Sequence, residues 1–170
     1  MPTSDPANKL WTIRKIKKLN PSTVLDVGAG MGDYLELIKT YVGDKVKVDA
    51  IEVWQPYVEK YKLKERYDNL FVLDAREFNN FKYDLVICGD VLEHMSEKDA
   101  VDLWNKISKS AKNAIISIPI IHHPQDEYDN NPYEVHVEED WDVEKVLSKF
   151  QGIYEHKKFD ITGVFLAEFK

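Results

Sequence analysis

The chain has 170 residues and one cysteine, Cys88, so no internal disulfide can form, and such sparing thiol use suits a reducing compartment. Cys88 sits in the apolar run Leu85-Val86-Ile87-Cys88, where a small core residue is expected rather than a nucleophile. No apolar run is long enough to span a bilayer. Met1-Pro2-Thr3-Ser4-Asp5 lacks the apolar segment of a secretory leader. A cytoplasmic location away from membranes is therefore expected. Basic charge is in deficit: the net charge is −7, which disfavours sequence-independent binding to DNA or RNA. Lys9, Arg14, Lys15, Lys17 and Lys18 decorate the first helical segment and read as a solvated face rather than a nucleic-acid patch. Repeats, low-complexity segments and Pro/Gly-rich linkers are all missing. Residues 1–170 therefore read as one domain, of ordinary globular composition and large enough for a sizeable core.

What is present centres on Thr23-Val24-Leu25-Asp26-Val27-Gly28-Ala29-Gly30-Met31-Gly32-Asp33-Tyr34. An apolar strand breaks on alternate glycines into a helix beginning near Tyr34. Glycine tolerates positive φ and has no side chain in the way, so such a turn brings backbone close to a ligand. Spacing separates the ligand classes. A phosphate-cradling P-loop ends in Gly-Lys-Ser/Thr, but Gly32 is followed by Asp33. A dinucleotide fingerprint needs its third glycine at position 33, where an acid would face a pyrophosphate badly.

Short apolar strands alternate with helical segments along the rest of the chain, the pattern of a parallel sheet covered by helices. A helix over 7–19 carries Leu10, Ile13, Ile16 and Leu19 along one side. Strands are expected at 23–28, 46–52, 70–74, 83–89 and 114–118, the last stopped by Pro119. Pro56 opens a helix that buries Tyr57, Val58 and Tyr61. Ser96-Glu97-Lys98-Asp99 is a capping-box pattern before a helix burying Val101, Trp104 and Ile107. Residues 119–140 form a long polar loop. Asp140 then caps a helix with Val143, Val146, Leu147 and Phe150 at core spacing. Two final strands flank Thr162-Gly163 as an antiparallel hairpin.

The spacing Asp26-x-Gly28-x-Gly30-x-Gly32 resembles motif I of the class I S-adenosylmethionine-dependent methyltransferases, and the element order matches that family over nearly the whole chain after residue 20. The resemblance implies a Rossmann-like three-layer α/β/α sandwich with a seven-stranded sheet in the order 3-2-1-4-5-7-6, strand 7 antiparallel. It implies S-adenosyl-L-methionine as cofactor and S-adenosyl-L-homocysteine as product. Asp26, Gly28, Ala29, Gly30, Gly32 and Tyr34 would form the glycine-loop side of the cofactor site. Glu52 resembles the acid that takes both ribose hydroxyls, since a carboxylate can accept two O–H donors. Val53 and Trp54 would flank the adenine, Trp54 by stacking. Asp74 resembles the acid facing the adenine amino group, with Ala75 and Arg76 beside it. Cys88-Gly89-Asp90-Val91-Leu92-Glu93-His94-Met95 resembles motif IV, with Asp90 and Val91 bordering the methionine portion and Glu93 and His94 on the substrate side.

Residues 119–140 then read as a substrate lid. They are acidic, aromatic and His-bearing, and no Lys or Arg occurs between Lys112 and Lys145. That suits a polar or cationic acceptor better than a phosphate-rich one. His136 joins His94 and Glu93 as a catalytic candidate, whereas His122 and His123 divide evenly between function and solvated surface. Asp90-x-x-Glu93-His94 with the later His136 also resembles the divalent-ion set of RNA 3′-end methyltransferases and some catechol O-methyltransferases. The first ligand here is one carbon shorter, and many metal-free methyltransferases also carry Glu-His, so no residue is assigned to a metal and a divalent ion stays open.

The chain lacks the Asn/Asp-Pro-Pro-Tyr/Phe tetrapeptide of amino-group DNA and protein-glutamine enzymes, and Cys88 lacks the Pro-Cys context of cytosine C5 enzymes. The resemblance therefore implies methyl transfer to a hydroxyl or amine of a small or exposed polar acceptor. The alternatives are a metal-assisted O-methyltransferase and a non-catalytic cofactor-binding subunit of the same fold; a homodimer stays open.

Overall fold

The computed structural model describes residues 6–170; the reading of Met1–Asp5 falls outside them. The chain runs α1 (Pro6–Leu19), β1 (Thr23–Val27), α2 (Asp33–Tyr41), β2 (Lys47–Ile51), α3 (Gln55–Lys60), α4 (Leu63–Arg66), β3 (Asn69–Phe71), β4 (Leu85–Gly89), α5 (Glu97–Ser108), β5 (Asn113–Pro119), α6 (Val143–Lys149), β6 (Ile153–Lys158) and β7 (Thr162–Glu168). One sheet has the order β3-β2-β1-β4-β5-β7-β6, as expected. Strand β7 is antiparallel to both neighbours, and β1 to β5 pair in parallel.

The central strands are apolar throughout because helices cover both faces. On one face Val24, Val48, Ala50, Leu85 and Ile87 pack against Ile13 and Ile16 of α1, Leu35 and Ile38 of α2 and Val58 of α3. On the other, Leu25, Val27, Val86 and Ile116 meet Leu103, Trp104 and Ile107 of α5, with Val146 and Phe150 around α6. Trp104 is fully buried against Phe150 and Phe169 and donates its indole N–H to Gln151 O. Helix α5 starts where expected, with Ser96 Oγ accepting from Asp99 N.

Several details differ from the sequence expectation. Pro119 is the last residue of β5, paired with Thr162, rather than its stop; only one N–H is lost there, at the end of the ladder. Helix α6 is capped by Asp142, which accepts from Lys145 N, not by Asp140. Leu10 and Leu147 are exposed and Val101 is only half-buried, because each helix turns a narrower face to the sheet than the apolar spacing allowed. No helix among the described residues is long and apolar enough to cross a membrane.

Candidate active site

The glycine turn leaves β1 with Gly28, Gly30 and Gly32 all at positive φ, 71°, 53° and 84°. Two contacts need a hydrogen rather than a side chain here. A Cβ on Gly28 would lie 2.6 Å from Val91 Cγ2, and one on Gly32 would lie 2.6 Å from the Arg66 guanidinium. The turn is tied down from two sides. Gly28 N and Ala29 N both donate to Ile51 O, at 2.9 and 3.0 Å. Arg66 donates to Met31 O at 2.8 Å and to Gly32 O at 3.3 Å.

Glu52, the first residue after β2, faces the turn across the sheet edge. Its Oε2 accepts from Gly30 N at 2.8 Å and its Oε1 from Trp54 N at 2.8 Å. It is 5% exposed; burial raises its pKa, and these two N–H groups pull it partly back. Each carboxylate oxygen keeps a further acceptor site, so a diol can add to this set.

A cleft runs across the carboxyl ends of β1, β2 and β4, where ligands collect in open α/β sheets. Of the sequence candidates, Gly28, Ala29, Gly30, Tyr34, Glu52, Val53, Asp74, Ala75, Arg76, Asp90, Val91 and His94 line it. Asp26, Gly32, Trp54, Glu93 and His136 do not. Asp26 lies beneath the floor at 1% exposure and accepts from Tyr67 Oη at 2.6 Å. Burial pushes its carboxyl up to about 7, with the Tyr67 bond opposing. Trp54 is not in the cleft lining and packs on Tyr133 of the 119–140 segment, ring centres 6.1 Å apart. Asp74 is engaged by Arg76, whose Nε and Nη2 reach its two oxygens at 2.9 and 2.6 Å and hold its pKa low.

At the far end of the cleft three side chains converge. The ligand atoms of Glu93, His94 and His136 all lie within 4.8 Å of one another, and the two imidazole centres are 4.8 Å apart. His94 Nδ1 lies 3.1 Å from Val135 O, and His136 Nδ1 lies 2.5 Å from His123 O. A carbonyl only accepts, so both Nδ1 atoms carry the hydrogen and both Nε2 lone pairs are left for other work. Burial, then the neighbouring His136, lowers His94 to about 4; burial also lowers His136. Glu93 is 1% exposed with no hydrogen-bond partner for either carboxylate oxygen among the described residues. Burial, then Asp90, raises its pKa far above the usual carboxylate value.

The 119–140 segment builds this end. Val137 N and Glu138 N both donate to Glu93 O, at 2.9 and 3.1 Å. A short 3-10 turn, Pro132–Glu134, is capped by Asn131 and brings Asn131, Tyr133 and Glu134 into the cleft wall beside Tyr57 of α3. The sequence candidates omitted these four as well as Asp33. Asn131-Pro132 is a readable cap-and-start signal, but nothing local shows that the turn faces the cleft. His122 pairs with Asp140 at 2.8 Å and is exposed, outside the cleft lining. His123 packs on His136, ring centres 5.4 Å apart.

Comparison with known proteins gives a consistent picture. A family model described as a methyltransferase domain matches residues 24–114. An uncharacterized protein of Methanocaldococcus jannaschii is 26% identical over 106 residues, which is 62% of this chain and 44% of that protein. The chain thus spans less than half the length of that relative. A candidate O-methyltransferase of Nostoc punctiforme superposes with a TM-score of 0.72 at 16% identity, over 95% of this chain and 56% of its own. The N-terminal domain of EvdMO1, solved with SAH bound, superposes with a TM-score of 0.69 at 12% identity, over 99% of this chain and 82% of its own. At these identities the likeness is one of fold.

Proposed function

The chain belongs to the class I S-adenosylmethionine-dependent methyltransferases, and from that premise we propose that it moves a methyl group from S-adenosyl-L-methionine to a hydroxyl or amine of a small or exposed polar acceptor. The observation that carries this reading is one continuous cleft from the glycine turn and Glu52 to His94. The site's chemistry fits the cofactor: Glu52 offers two carboxylate oxygens beside a turn that a Cβ on Gly28 would obstruct. Bound there, the cofactor supplies an electrophilic methyl on a sulfonium. The protein's share is to hold, orient and deprotonate. Glu52 takes the ribose diol, Gly28 and Gly30 admit the ligand close to backbone, and Asp90 and Val91 border the methionine end. Residues 119–140 act as the lid that keeps the acceptor in line behind the methyl.

His94 is neutral at pH 7, with its Nε2 lone pair available for the acceptor's proton. With a pKa lowered to about 4, however, it is a feeble general base, since the best base titrates near the working pH. That observation favours a second reading, metal-assisted O-methyl transfer. Two neutral imidazoles whose Nδ1–H groups are fixed by backbone carbonyls, with an unpartnered buried carboxylate between elements, are the donor set for Mg²⁺, Mn²⁺ or Zn²⁺. Glu93, His94 and His136 would hold the ion, which would lower the pKa of the acceptor hydroxyl. The candidate O-methyltransferase among the similar structures supports the oxygen-directed version.

The test is S-adenosylhomocysteine formation from a panel of diols, phenols and primary amines, run with chelator and with each ion restored. Metal-dependent turnover supports the second reading; metal-independent turnover, lost in His94→Asn and His136→Asn at unchanged cofactor affinity, supports the first. Cofactor binding without turnover under every condition identifies a non-catalytic subunit. Tight NAD binding with no S-adenosylmethionine binding overturns the proposal.

A further inference from the structure

The first turn of α1 reaches two of the carboxylates that line the cleft. Lys9 pairs directly with Asp33 at 2.5 Å. Asn8 reaches Asp90 through one intermediary: its Nδ2 donates to Ser117 Oγ at 2.9 Å, and Ser117 Oγ donates to Asp90 Oδ1 at 2.8 Å. The direction of this relay is dictated by its start. An amide nitrogen only donates, so the serine oxygen accepts from Asn8 and the serine's single hydrogen is left for Asp90. Ser117 holds the same residue by the backbone too, with Asp90 N donating to Ser117 O at 2.8 Å. Asp90 needs such support, because its φ is +54°, in the left-handed region that non-glycine residues rarely occupy.

Asn8 is a poor choice if its task is only to pack α1 on the sheet. It is fully buried, and its Oδ1 has no hydrogen-bond partner among the described residues. A buried orphan acceptor weakens the fold, and leucine would fill a similar volume without it. An arrangement that destabilises locally while bonding through Ser117 to a cleft-lining carboxylate is expected of a functional position.

We propose that Asn8 is a positioning residue: acting through Ser117, it sets the Asp90 carboxylate at the cleft wall, so that docking of α1 is a condition for ligand binding. The proposal rests on the methyltransferase reading for the identity of the ligand, but not for the relay itself.

The variants are Asn8→Leu, Ser117→Ala and Ser117→Thr, each measured for melting temperature and for S-adenosylhomocysteine affinity by calorimetry. Asn8→Leu should weaken binding about five- to tenfold, the loss expected when one hydrogen bond to a charged group is misdirected. Its melting temperature should stay unchanged or rise. Ser117→Ala should match it, the double variant should be no worse than Ser117→Ala, and Ser117→Thr, which keeps the hydroxyl, should restore binding. A lower melting temperature with unchanged affinity makes Asn8 a packing residue and overturns the proposal. If the wild type binds no S-adenosylhomocysteine, the methyltransferase reading fails, and a crystal structure of Asn8→Leu decides the relay: an unmoved Asp90 carboxylate refutes it, a rotated one supports it.

Discussion

Replacing Glu52 probes the cleft most directly, because one carboxylate serves two ends. Toward the protein, it accepts from Gly30 N and Trp54 N, each at 2.8 Å. Toward the ligand, the proposed function has it take a diol. In Glu52→Gln the amide nitrogen must face one of those two N–H groups, donor against donor. Hydrogen bonds to a charged acceptor are worth roughly 1.5–3 kcal/mol each. Water entering the open cleft recovers part of this, which leaves a stability loss of about 1–3 kcal/mol. At about 2–4 °C per kcal/mol for a domain of this size, the melting temperature should fall by about 2–12 °C. Affinity for S-adenosylhomocysteine should fall further, by about 100-fold or more, because the diol loses a charged acceptor as the turn loosens. The pH dependence carries a sign. The folded pKa of Glu52 is raised above 4.5, so wild-type affinity should decline as acid protonates it, beginning above that value, and the variant should lack this limb. Calorimetry across pH and a thermal melt suffice. A Glu52→Gln protein with wild-type melting and wild-type affinity would refute both the brace and the ribose assignment.

Two further perturbations test the floor and the core. Tyr67→Phe removes the hydroxyl that Asp26 accepts from. Asp26 has a folded pKa of about 7, above its unfolded 3.8, so its neutral form favours folding below pH 4 and that contribution is lost as pH rises toward 7. The variant should therefore melt close to wild type at pH 4.5 and show a deficit of about 1–3 kcal/mol at pH 8; a deficit equal at both pH values would refute the argument. Trp104→Ala empties the space between α5, Phe150 and Phe169 and should cost about 3–5 kcal/mol, or about 6–20 °C in melting temperature. Its cofactor affinity at low temperature should be unchanged, and a loss under 1 kcal/mol would mean that Trp104 is not the keystone of that face.

By itself the sequence determined the elements of the sheet and the floor of the cleft, because both are local. Apolar runs between turn signals mark strands buried on both faces, and alternate glycines between a strand and a helix mark a backbone-lined turn wherever they occur. The acids at strand ends, Glu52, Asp74 and Asp90, could be placed at one sheet edge because parallel strands share one direction. Which way a side chain turns after the last ladder bond is not local. Glu52 lines the cleft, whereas Trp54, two residues on, is held against Tyr133 of the 119–140 segment. Asp26 carries the motif but is roofed by Tyr67, 41 positions later, so it works beneath the site rather than in it. The pairing of His94 with His136 exists because backbone of the 119–140 segment bonds back to Glu93 O. The relay from Asn8 to Ser117 spans 109 positions and joins α1 to β5. Such contacts are made where one layer of the sandwich closes on another, and chain periodicity carries no information about what lies across that gap.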